Sequence, residues 1–317
     1  MNFRGVDFIP HDTHIPFRSF HRISFLASGV SLLASLVLFF SIGLNYGIDF
    51  RGGTLIEIQN KSGPADIAQL RNKISGLGLG DFSIQEFGAP NEVLIRVKEQ
   101  PGGEKAQQEV VAKVRGTLGD EVVYRRTEVV GPAVSEELKK SGTIAVLAAI
   151  FAVLIYIWFR FEWQFSIGAV AALVHDVILT IGIFSLLQLE FNLPIVAALL
   201  TIVGYSLNDT VVVYDRIREN LRRYKKMPLE ELLDLSINQT LSRTILTSVT
   251  TLIALFSLFF FGTEVIKGFI FAMIWGVIVG TYSSIFIAAP LLLWLSVKRD
   301  WSGVGGAKMK EPAKRGA

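Results

Sequence analysis

Residues 194–214 read PIVAALLTIVGYSLNDTVVVY, twenty-one positions with a single charge, Asp209. A helix of that length matches the hydrocarbon thickness of a bilayer. A carboxylate inside it is costly and asks for a function. Working outward, five more runs of the same character lie at 23–44, 142–159, 164–187, 244–262 and 266–296. The expected fold class is a polytopic α-helical membrane protein with six transmembrane helices. Composition agrees: 51% of the residues are hydrophobic, more than a soluble chain of 317 residues carries. The last run contains Pro290, so a tilt or kink is expected there. The first run follows Arg18 and Arg22 and ends at Leu44-Asn45-Tyr46-Gly47. It is too long for a signal peptide and lacks a small-residue cleavage site, so it is read as a retained span.

Basic residues set the expected orientation. Arg4, Arg18 and Arg22 precede the first span, Arg216–Lys226 follows the fourth, and Lys298, Arg299, Lys308, Lys310, Lys314 and Arg315 follow the sixth. The short loops on the other side carry Glu190, Glu264 and Lys267. The positive-inside rule puts both termini in the cytoplasm and the long segment 45–141 outside, which in a Gram-negative cell is the periplasm. Residues 1–22 are then a cytoplasmic segment and 297–317, rich in Gly, Lys and Ala, a disordered cytoplasmic tail. The loop 215–243, with Glu230, Glu231 and Leu232–Leu235, reads as an amphipathic helix on the membrane surface. The Arg216–Lys226 cluster reads as a topology anchor touching lipid headgroups.

The external segment is long enough to fold. Thr54–Gln59 alternates like a strand, Pro64–Ser75 has helical spacing, and Phe82–Phe87 and Glu92–Val97 flank a turn at Gly88-Ala89-Pro90-Asn91. Glu104–Leu118 is a second amphipathic helix and Glu121–Val130 a last strand. The order βαββαβ is that of a ferredoxin-like α+β domain.

Charges inside the spans carry the chemistry. Asp209 is joined by His175 and Asp176 in the third span and by Arg243 at the start of the fifth. The fourth and fifth spans run antiparallel, so Arg243 enters at a depth that Asp209 shares, and the two are expected to pair. Gln239, Arg243, Thr247 and Thr250 fall on one helical face and are expected to line a bundle interior or hydrated path. This set points to a proton relay and not to a metal cage or a nucleophile. For Asp176, relay and helix glue stand equal on the residues alone; His175 reads as a hydrogen-bonding residue, and Gly276 and Gly280 as helix-packing contacts. Cysteine is absent, which excludes disulfides and thiolate metal sites. No cofactor, metal or enzymatic activity is expected. The net charge of +3, without a basic patch interleaved with aromatics, gives no reason to invoke nucleic acid.

Four stretches carry a resemblance: Gly47-Ile48-Asp49-Phe50-Arg51-Gly52-Gly53, Ala172-Leu173-Val174-His175-Asp176-Val177, the long Val203–Asn220 (VGYSLNDTVVVYDRIREN), and Gln239-Thr240-Leu241-Ser242-Arg243-Thr244. In this order, with six spans and one external domain after the first, the chain resembles the SecF family nearly throughout. The resemblance implies half of an RND-superfamily bundle, completed by six spans of SecD. It implies use of the proton-motive force to promote export of unfolded proteins through the SecYEG translocon of the bacterial inner membrane. Expected partners are SecD, SecYEG, YajC, the exported chain and protons. Asp209 and Arg243 match the family's functional membrane aspartate and arginine. The relay is thus expected to comprise Asp209, Arg243, Asn208 and Asp176, with Thr247, Thr250 and Gln239 lining its path.

Other readings compete. A proton-coupled small-molecule exporter shares the chemistry but calls for a deep ligand pocket, and a translocon assembly scaffold needs no titrating aspartate. An intramembrane aspartyl protease would use Tyr214-Asp215 with Gly78-Leu79-Gly80-Asp81, yet the second pair lies in the external segment. No P-loop supports a nucleotide-driven pump.

Overall fold

The computed structural model describes residues 14–295 and Val297, so the expectations for residues 1–13 and for the remainder of the tail lie outside it. Helix α1 (His21–Ser41) ends at Gly43, whose φ of +76° supplies the left-handed turn that favours glycine. Then come β1 (Asn45–Tyr46), the single turn α2 (Ile48–Arg51), β2 (Gly53–Asn60), α3 (Ile67–Ser75), β3 (Phe82–Phe87), β4 (Ala89–Val97), α4 (Gly103–Leu118) and β5 (Val122–Val130). The chain returns through α5 (Pro132–Arg160), α6 (Trp163–Leu187), β6 (Glu190–Phe191), α7 (Leu193–Arg223), α8 (Leu229–Phe261), α9 (Glu264–Ser283) and α10 (Ala289–Trp294).

Among the described residues, six helical stretches are long and apolar enough to cross a membrane: α1, α5, α6, α7, α8 and the combined run Glu264–Trp294. The helices outlast several of the apolar runs. Helix α5 starts ten residues before the expected span and α8 fifteen, because the backbone ladder continues through the polar residues that precede each apolar run. Pro290 cannot donate to the ladder, and a π turn, Ser284–Ala288, absorbs the irregularity just ahead of it. The Tyr214 hydroxyl donates to the Ala288 carbonyl oxygen (3.1 Å) beside this break.

One expectation is corrected. Residues 215–243 do not form a separate helix lying on the membrane. They are the end of α7, a short turn and the beginning of α8. The apolar face of this α8 segment has a protein partner: Leu232, Leu233 and Ile237 are buried in one core with Ile217 and Leu221. Asn220 ties the two helices by donating to Ser236 Oγ and Gln239 Oε1, both at 2.8 Å.

Helices α6, α7 and α9 form the centre of the bundle, while α1, α5 and α8 expose large apolar side chains such as Leu26, Phe151 and Phe260. The central contact is close because it involves glycines. A Cβ at Gly276 of α9 would collide with Ile202 of α7, and one at Gly280 would stand 3.0 Å from Ser206 Cβ.

The β domain has sheet order β3-β4-β2-β5, every neighbour antiparallel. Ile56, Ile58, Val93, Ile95 and Val97 pack with Ile74 of α3 and with Val110, Val114 and Leu118 of α4. The four-residue turn expected at 88–91 is a tighter corner at Gly88, and β4 begins at Ala89 with a register irregularity at Glu86/Phe87. Strand β2 departs from simple alternation, since Leu55 on its other face is also buried. Leu55 packs with Leu94 and with Ile48 of α2, beside the helical bundle.

Candidate functional site

On α7, positions 206, 209, 210 and 213 face inward and Asn208 faces out. Asp209 is buried, and its Oδ1 accepts a hydrogen bond from Thr244 Oγ1 of α8 at 2.8 Å. Its Oδ2 is buried without a partner among the described residues. A carboxylate in that state holds one oxygen in reserve, since an ionised carboxylate accepts at both.

Asp176 is in the opposite condition. Its Oδ2 accepts from Ser206 Oγ (2.6 Å) and Ser283 Oγ (2.8 Å), and its Oδ1 is 2.9 Å from His175 Nδ1. All four residues are buried, and the bonds join α6, α7 and α9. Buried polar groups satisfied this fully rigidify what they join. Ser206 and Asp209 lie one turn apart on α7, so both carboxylates abut the same helix face.

The structure corrects the expected Asp209–Arg243 pairing. Arg243 is exposed, no ion pair closes between the two, and the arginine's charge acts on the carboxylate only through space. The reason is rotational. Helix α8 buries Ser236, Thr240, Thr244 and Ser248, a four-residue series that packs onto α7 and α9. Gln239, Arg243, Thr247 and Thr250 do share one face, but that face is exposed and is not this chain's own interior. Asn208 is exposed as well. The hydrogen-bonding neighbours of the two carboxylates that sequence reasoning missed are therefore Thr244, Ser206 and Ser283. For Thr244 the available signal was the hydroxyl series 236/240/244/248, parallel to the series chosen.

A family model described as "Protein export membrane protein SecD/SecF, C-terminal" matches residues 110–298, and "SecD/SecF GG Motif" matches residues 37–59. The chain belongs to the SecD/SecF family. Within it, relatives matched over nine tenths of their own length include SecF proteins. "Protein translocase subunit SecF" of Cereibacter sphaeroides is 47% identical over 313 residues, 96% of this chain and 95% of the relative. The SecF of Magnetococcus marinus is 52% identical over 286 residues, 89% and 92% of the two chains. The chain spans only 40% of the Brucella abortus "Protein translocase subunit SecDF", to which it is 45% identical. The crystal structure of SecDF from Thermus thermophilus, described as a translocon-associated membrane protein, is similar at a TM-score of 0.82 and 35% identity, over 91% of this chain and 40% of that one. These relations give the chain a role in protein export, as a membrane component of a SecD/SecF translocase.

The segment matched by the SecD/SecF GG motif is a junction in space. Strand β1 pairs parallel with β6, Asn45 with Glu190 and Tyr46 with Phe191. Asp49 Oδ2 accepts from the backbone N–H of Leu193 at 2.8 Å, the first residue of α7. The residue in N-cap position, Asn192, makes no side-chain cap of its own. Asp49 thus caps, from a distant part of the chain, the helix that carries Asp209. Arg96 of β4 forms an ion pair with Glu190 across the same junction. The glycines have separate reasons. Gly53 adopts φ +120°, and a Cβ there would collide with the Val97 carbonyl oxygen.

Proposed function

We propose that the chain is the SecF subunit of a SecD–SecF complex in the bacterial inner membrane, and that it uses the proton-motive force to promote export through SecYEG. It carries out no covalent chemistry. Both termini are cytoplasmic, and the sheet-and-two-helix unit is a ferredoxin-like domain on the periplasmic side. SecD covers the exposed face bearing Asn208, Gln239, Arg243, Thr247 and Thr250 and completes a twelve-helix bundle; YajC and the emerging unfolded chain are further partners.

The observation that carries this reading is the half-satisfied carboxylate of Asp209, beside a polar face this chain leaves open. Oδ2 is the atom that takes up the proton, because Oδ1 is already held by Thr244. Protonation removes the charge, weakens the bond from Thr244 and ends the attraction of Arg243. One proton moving through 100 mV releases about 2.3 kcal/mol. A hydrogen bond to a charged group is worth roughly 1.5–3 kcal/mol, so a single proton suffices to exchange one such contact. Helices α7 and α8 then shift, and the cap at Asp49 passes the displacement to the β domain. Asp176, fully bonded, keeps α6, α7 and α9 in register while this happens.

The test is Asp209→Asn in cells depleted of the native protein, with export of a secreted reporter scored at equal membrane levels. The expected outcome is loss of proton-driven export. Normal export would sink the relay and leave only the scaffold role.

A further inference from the structure

The arginines at the end of the bundle away from the β domain play no part in the reading above. Arg160, the last residue of α5, receives Asp215 of α7, with its Nη2 donating to both carboxylate oxygens at 2.9 and 3.2 Å. Asp215, Arg218, Glu219, Arg222 and Arg223 recur at spacings of three and four along α7. With Arg160 they line a cleft of about 560 Å³. Four guanidinium groups thus meet two carboxylates around one open volume, a local surplus of two positive charges. Glu219 is also bonded by Arg216 at 2.7 Å and Asp215 by Arg160, while Arg218 Nη1 reaches the Arg160 carbonyl oxygen at 3.4 Å, so the guanidinium groups are held in place around the volume.

The surroundings say which anion suits this cleft. Trp158, Phe159 and Trp163 are 62%, 87% and 54% exposed immediately around the α5–α6 turn. Large exposed aromatics at the ends of spanning helices sit at the membrane–water boundary. Arg160 stacks over Phe161 at 4.9 Å, and the Arg218 guanidinium lies 6.0 Å from the same ring. The planar forks are therefore braced at headgroup depth, where guanidinium binds phosphate through two parallel hydrogen bonds. We propose that this cleft holds the phosphate of an anionic phospholipid from the leaflet on this side, with the acyl chains lying along the exposed aromatics of α5 and α6. The proposal rests on the six helices crossing a membrane and is independent of the proton step.

The experiment is native mass spectrometry of the full-length protein in detergent, titrated with phosphatidylglycerol or phosphatidylcholine. Wild type is compared with Arg218→Gln/Arg222→Gln and with Lys225→Gln/Lys226→Gln, which removes equal charge outside the cleft. The arginine double variant should weaken phosphatidylglycerol binding roughly 30-fold, equivalent to ~2 kcal/mol. The lysine variant should lose less than about threefold, because exposed, solvent-screened charges that do not touch the ligand contribute little. Should the double variant fail to fold, Arg222→Gln alone should lose roughly fivefold. Equal losses in the two double variants would reduce the effect to diffuse charge and overturn the site, as would equal binding of phosphatidylcholine. Displacement of the lipid by inorganic phosphate at matching concentration would assign the cleft to a free anion and overturn the lipid.

Discussion

Replacing Asp49 by alanine removes the side-chain acceptor of the Leu193 amide while leaving α7 otherwise intact. Asn192, in the N-cap position, makes no side-chain cap of its own, so Asp49 supplies the only side-chain cap of this helix among the described residues. Loss of an N-cap costs about 1 kcal/mol, and loss of a negative charge at the positive end of the helix dipole adds about 0.5 kcal/mol. Together, about 1.5 kcal/mol makes opening of the first turn of α7 roughly tenfold more frequent. Hydrogen exchange of the purified protein in detergent reads this directly, in a peptide covering residues 192–199. Exchange there should quicken about tenfold in Asp49→Ala and about twofold in Asp49→Asn, which keeps a carbonyl acceptor but not the charge. A peptide from the middle of α8 serves as the control and should not change. Unaltered exchange at 192–199 in the alanine variant would refute the cap, and with it the mechanical link drawn between the junction and the helix bearing Asp209.

Two further outcomes test the frame around the site. Asp176→Ala strips a buried acceptor from Ser206, Ser283 and His175 and should destabilise the bundle by about 3 kcal/mol in chemical unfolding; a change below about 0.5 kcal/mol would mean that these bonds do not hold α6, α7 and α9 together. Gly53→Ala forces a left-handed backbone on a residue whose Cβ also meets the Val97 carbonyl, so thermal unfolding of the β domain within the full chain should show a loss of about 1–3 kcal/mol, and wild-type stability would show that this corner relaxes without cost.

The spans and the strand order were legible in the sequence because both depend on long, simple signals. An apolar run of twenty residues has one solution in lipid, and alternation at Ile56/Ile58 and at Val93/Ile95/Val97 marks which side of a strand meets the helices. Helix ends were not legible. Hydropathy registers apolar runs, whereas α5 and α8 continue through polar residues, and the start of α8 packs against protein. The site was half legible. Asp209 and Asp176 stand out as charges in apolar runs. Their partners do not, because hydroxyl residues are common in these spans. Helix α8 offers two polar series one residue apart, and periodicity does not tell which one looks inward. Arg243 drew attention to the 239/243/247/250 face; packing chose 236/240/244/248. The cap at Asp49 has no local signature, since its partner lies 144 positions away.

The β domain enters and leaves at a single place. Gly53 opens β2, Val130 closes β5, and the two are direct partners in the sheet. Cα atoms so paired lie about 5 Å apart, so the 76 residues between them form a closed excursion from the path of the membrane chain. Such a unit is modular. It can be lengthened, shortened or exchanged through evolution or by engineering without altering the separation of α1 from α5, much as whole domains are tolerated as insertions where entry and exit are adjacent.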